Sequence, residues 1–75
     1  MTTLNWKLNH DRWEARASQE TGGRYVVSRH LHFWNVDHRR PRGRMRRQLG
    51  FAYTAEGAKD LAQADNDVGQ QRAAS

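Results

Sequence analysis

Apolar and polar residues alternate with a period of two over most of the first fifty positions, which predicts β-strands. Leu4, Trp6 and Leu8 alternate with Asn5 and Lys7, and Trp13, Ala15 and Ala17 alternate with Arg12, Glu14 and Arg16. Asn9, His10 and Asp11 are turn formers, so residues 4–17 read as a hairpin that sends Trp6 and Trp13 to one side. Residues 18–23 are polar and end in Gly22 and Gly23, a break. Residues 24–29 give the next strand, with Tyr25 and Val27 on one face and Arg24, Val26 and Ser28 on the other. After a turn at residues 30–32, residues 33–37 read as a strand with Trp34 and Val36 inward and Phe33, Asn35 and Asp37 outward. Pro41 and Gly43 then mark a turn. Beyond it Arg44, Arg46 and Gln48 point one way and Met45, Arg47 and Leu49 the other, in a strand that ends at Phe51.

The period then becomes helical. The Thr54 hydroxyl can cap a helix, and Glu56 falls in the first turn, where the helix dipole favours a negative charge. Ala55, Ala58, Leu61 and Ala62 form a narrow stripe of small apolar residues. Gly57 weakens such a helix by up to about 1 kcal/mol relative to alanine, yet allows helix and sheet to approach closely. From Asp65 onward apolar content falls, so a frayed end and a disordered tail are expected. The predicted fold is α+β: an antiparallel meander of three to four strands with one C-terminal helix packed on one face. Residues 1–64 form its single domain and residues 65–75 the tail. One sheet face buries the aromatic row beneath the helix stripe. The other face is uncovered and carries Arg24, Ser28, Asn35, Arg44, Arg46 and Gln48.

A chain of 75 residues holds one small domain. It hides only about 60% of the surface that its unfolded form exposes, so three tryptophans, two tyrosines and two phenylalanines must supply much of the core. The absence of cysteine excludes disulfides and thiolate metal sites and fits a reducing interior. No apolar run approaches the roughly 20 residues that cross a bilayer, and no apolar signal segment follows Met1. A soluble cytoplasmic protein with no membrane partner is expected.

Charge sharpens this picture. The net charge is +5 and the isoelectric point about 10.8. Six arginines (Arg39, Arg40, Arg42, Arg44, Arg46 and Arg47) crowd residues 39–47, and elsewhere seven Lys or Arg face eight Asp or Glu. A neutral body with one dense cationic stretch is the pattern of a polyanion binder. The alternative is a solubilising surface, its arginines paired with Glu14, Glu20 and Asp37. Arginine outnumbers lysine eleven to two, a bias that genome base composition can also produce, so not all of it speaks for bidentate phosphate contacts.

Arginine can fork onto guanine edges, and Asn or Gln can pair with adenine. The candidate nucleic-acid-binding residues are therefore Arg24, Asn35, Arg39, Arg40, Arg42, Arg44, Arg46 and Gln48. Val26 and Phe33, sent by the pattern to the same uncovered face, are the candidate centre of a protein interface rimmed by arginines. His30 and His32 would share a face on a strand, and with His38 and Asp37 nearby two histidines plus a carboxylate could hold a metal. The fixed spacings of zinc sites are missing, so these histidines read as surface or turn residues, with no metal and no cofactor. Asp11, Glu14 and Asp37 could serve acid–base chemistry, but there is no nucleophile–base pairing and no phosphate-cradling glycine loop, so no enzyme is expected. Trp6, Trp13 and Trp34 could stack bases, but their alternation with polar residues assigns them to the core.

Residues 43–63, GRMRRQLGFAYTAEGAKDLAQ, bring a resemblance. A basic strand (Arg44, Arg46, Arg47) runs into an apolar-Gly-aromatic turn (Leu49, Gly50, Phe51), then a threonine-started helix (Thr54) with an alanine–lysine pair (Ala58, Lys59). Tyr25 and Trp34 supply aromatics in the preceding strands. Over residues 24–63 this pattern resembles the AP2-like, three-stranded-sheet-plus-helix DNA-binding domain, also found as the arm-type domain of tyrosine recombinases. The hairpin at residues 4–17 is additional to that fold. The chain also resembles short phage-encoded proteins of unknown function. The resemblance implies a sheet laid in the major groove and nominates Arg24, Asn35, Arg44, Arg46 and Gln48. The expected function is a small, basic, non-catalytic DNA-binding protein whose partner is duplex DNA. Alternatives are a phage-type adaptor or inhibitor on an acidic host protein, or an electrostatic RNA binder.

Overall fold

A computed structural model describes residues 3–19, 22–40 and 46–74. Five strands, β1 (Lys7–Asn9), β2 (Arg12–Arg16), β3 (Arg24–Arg29), β4 (Trp34–Arg39) and β5 (Arg46–Ala52), precede one helix, α1 (Ala55–Ala74). They form a single antiparallel sheet in the order β1-β2-β3-β4-β5. The α+β meander with a C-terminal helix on the sheet is therefore as expected, but the strand count is five rather than three to four. Both arms of the hairpin expected at residues 4–17 are strands, and the shorter is β1. It is only three residues long because the chain before it leaves the sheet. Leu4 is buried in the core, and its backbone N–H donates to Gln63 Oε1 of α1 at 2.9 Å.

Tight turns set the register. His10 takes a left-handed backbone conformation (φ 58°) to close the two-residue turn from β1 to β2. Between β2 and β3 the Ala17 N–H donates to the Gly23 carbonyl, and Gly23 has φ 77°. A Cβ there would collide with the backbone carbonyl of Arg39 in β4, so both conformation and space demand glycine.

Helix α1 lies against β3, β4 and β5. Tyr25, Val27 and Val36 from the sheet and Ala58 and Ala62 from the helix are wholly buried between them. The two alanines have little bulk, so helix and sheet come close. Each buried valine contributes about 1.5–3 kcal/mol. Trp6, Trp13 and Trp34 pack half-buried at the margins of this core, and the Lys59 ammonium sits 3.7 Å from the centre of the Trp13 ring. Leu8, expected inward, is 61% exposed because β1 lies beyond the reach of the helix.

The helix also corrects the expected boundary at residue 64. It continues to Ala74 because polar groups past that point fasten it to the sheet. Asp65 accepts hydrogen bonds from the Tyr25 hydroxyl at 2.7 Å and from the Arg47 guanidinium at 2.8 and 2.9 Å. Asn66 is fully buried and accepts from the Ser18 N–H at 2.9 Å. Helical periodicity of apolar residues could not reveal anchors made of Asp and Asn. Among the described residues, no helix is long and apolar enough to cross a membrane.

A candidate nucleic-acid interface on the helix-free sheet face

Cross-strand pairing turns the sheet face away from α1 into three rows. Arg16, Arg24, Arg39 and Arg46 stand opposite one another across β2, β3, β4 and β5. The next row is Lys7, Glu14, Val26, Asp37 and Gln48, and the third is Asn9, Arg12, Ser28, Asn35 and Phe51. Six of these positions are cationic and two are carboxylates. The other face, beneath α1, carries Trp13, Ala15, Tyr25, Val27, Trp34, Val36 and His38. Arg24, Asn35, Arg39 and Gln48 thus share the helix-free face, and Arg40 is exposed just beyond β4. Arg42 and Arg44 lie outside the described residues, and for Arg46 only the strand position is described.

Arg16 was not among the candidates. Its alternation placed it on a strand, but only the pairing of β2 with β3 brings it opposite Arg24. Like charges placed opposite one another in a sheet are destabilising, so a row of four arginines is an arrangement that a bound polyanion would relieve. Part of the charge is answered within the face: Arg24 lies 3.6 Å from Glu14. The Glu14 carboxyl is held below the usual carboxylate range first by a hydrogen bond from the Asn9 amide. The nearby Arg24, Arg12 and Arg39 add to this, against the opposing effect of burial. Arg24 keeps 55% of its side-chain surface exposed despite this pair, and an ion pair so open to solvent is worth little.

The centre of the face is polar and ordered. Gln48 Nε2 donates to Asn35 Oδ1 at 3.2 Å, and Asn35 Nδ2 lies 2.8 Å from His30 Nε2. These groups border a shallow depression also lined by Arg12, Ser28, Asp37 and Arg39. Asp37 itself is almost buried.

Three expectations need correction. Val26 does face away from the helix, but it is fully buried. It is a short side chain flanked across the strands by Glu14 and Asp37. It cannot be the apolar centre of an interface. Phe33 lies before β4 rather than in it, half-buried against His30 at 5.1 Å between ring centres. His38, read as a surface or turn residue, is in the core. Its ring stacks on Tyr25 at 4.7 Å, and its Nε2 donates to the Gly22 carbonyl at 2.8 Å.

What the sequence reading missed is Phe51. Strict alternation from Arg47 would place Leu49 and Phe51 together under the helix. The pairing of β4 with β5 slips between Val36 and Asp37, so that Leu49 has no partner and Gly50 faces Val36 at φ 151°. This β-bulge resets the phase and delivers Phe51 to the helix-free face, 57% exposed. Comparison with family models, with curated proteins and with solved structures found no match to this chain.

Proposed function

We propose that the protein is a small non-catalytic DNA-binding protein that lays its helix-free sheet face against the duplex. The single observation that carries this reading is the alignment of Arg16, Arg24, Arg39 and Arg46 across four adjacent strands. Strands lie about 4.8 Å apart, so the row spans about 14 Å, close to the roughly 12 Å width of the major groove. Arginines at the two ends of such a row reach the phosphates flanking the groove, while Asn35 and Gln48, in the two rows beside it, face base edges. Arg40, exposed just beyond β4, adds to the same cationic end of the sheet. The likeness of residues 24–63 to sheet-reading DNA-binding domains points the same way, because β3, β4, β5 and the start of α1 occupy that span.

The test is binding to a short duplex, followed by anisotropy over a range of salt. Neutralising four to six phosphates gives a slope of roughly −4 to −5 in log K against log salt. Arg24→Ala combined with Arg39→Ala is expected to reduce that slope by about 2. Absence of binding at low salt would reject the proposal.

A further inference from the structure

A run of rings closes the helix-free face at the end away from the arginine row. His30 stacks on Phe33, Phe33 meets Phe51 edge-on at 5.5 Å, and Phe51 meets Tyr53 edge-on at 6.0 Å. Phe51 is 57% and Tyr53 78% exposed. The bulge at Leu49 is what turns Phe51 out of the core, and bulges commonly re-aim a side chain where function needs it. Of these rings, His30 lines the shallow depression of about 540 Å³ that Asn35 and Gln48 also line. Its edge carries Arg12 and Arg29. An occupant suited to this corner is flat and aromatic where it meets the rings and anionic where it meets the arginines.

We infer that these rings are a stacking platform for unpaired bases, so that the preferred ligand is a DNA duplex that continues into a single-stranded extension. The inference rests on the DNA-binding reading proposed above. Along the strands, the arginine row and Phe51 stand about 13 Å apart at 3.3 Å per residue. The arginines hold duplex phosphates while the first unpaired bases lie on Phe51 and Tyr53. Stacking on an aromatic side chain accepts any base, so the preference is for structure rather than for sequence.

The experiment compares a blunt duplex, the same duplex with a 5′ or a 3′ thymidine extension, and the thymidine strand alone, by anisotropy with the full chain at one salt concentration. One extended duplex is expected to bind about tenfold or more tighter than the blunt one. Phe51→Ala with Tyr53→Ala should erase that advantage, bringing the extended duplex to the affinity of the blunt one. Phe51→Leu with Tyr53→Leu, which keeps apolar bulk and so protects folding, should erase it as well. Equal affinity for blunt and extended duplexes, or an advantage that survives the leucine pair, overturns the inference and leaves duplex binding standing. Failure of every probe to bind at low salt removes the DNA-binding reading itself. Sedimentation that shows a dimer dissolved by the leucine pair would also overturn the platform, because the rings would then cover a second copy.

Discussion

Tyr25 joins the two layers of the molecule. Its ring lies against His38, and its hydroxyl donates to Asp65, which also holds Arg47. Burial first, then the Asp65 hydrogen bond and charge, raise its pKa well above the ordinary value of 10.0. The folded state therefore holds this proton more tightly than the unfolded state does. The stability it contributes is fully present below about pH 10 and falls as pH rises from there toward the folded-state value. Urea midpoints measured from pH 7 to 11 should decline at the alkaline end, with up to about 1.4 kcal/mol lost per pH unit from this group. Tyr25→Phe should be less stable at pH 7 and decline less steeply. An identical alkaline slope in both proteins would contradict this assignment. Gly23 offers a second test. Gly22 and Gly23 both have positive φ, but only at Gly23 would a Cβ strike the Arg39 carbonyl. Gly22→Ala should cost about 1–2 kcal/mol, the left-handed conformation alone, and Gly23→Ala clearly more, read as urea midpoints by tryptophan fluorescence. At this scale the sequence disclosed that the pair breaks the chain, but not why the second glycine is irreplaceable, since the obstacle comes from β4. Val26 teaches the same lesson: alternation gave its face correctly, whereas its exposure depended on neighbours contributed by other strands.

Among the elements, α1 and β5 were the least legible. Alternation located the run of β5 but not its phase, because one unpaired residue at Leu49 moves every later side chain to the opposite face. The triplet Leu49, Gly50 and Phe51 carried the only hint, since glycine within a strand often marks a bulge. The second half of α1 looked like a tail because its attachments are polar. Asn66 accepts from the buried Ser18 N–H, so Asn66→Ala leaves that donor without its acceptor. The expected cost is about 1–3 kcal/mol, measurable by thermal or urea unfolding. A change within 0.5 kcal/mol, the range of ordinary surface substitutions, would mean that the helix beyond residue 64 contributes little to the fold.

The whole molecule is polarised. Helix α1, with Glu56, Asp60, Asp65 and Asp67 against Lys59 and Arg72, is acidic on balance, and the arginine row stands on the other side of the sheet. The sequence made the excess positive charge plain and placed most of it in residues 39–47. It could not show that Arg16, far outside that stretch, completes a row with Arg24 and Arg39, because a row exists only once strands are paired. The most direct measurement is an NMR titration of the labelled protein with a short DNA duplex at low salt. The expected result is that resonances of Arg16, Arg24, Asn35, Arg39 and Gln48 shift together while those of the outer face of α1, including Asp60 and Ala64, stay in place. Shifts confined to the helix, or none at all, would contradict the claim that the helix-free sheet face binds DNA.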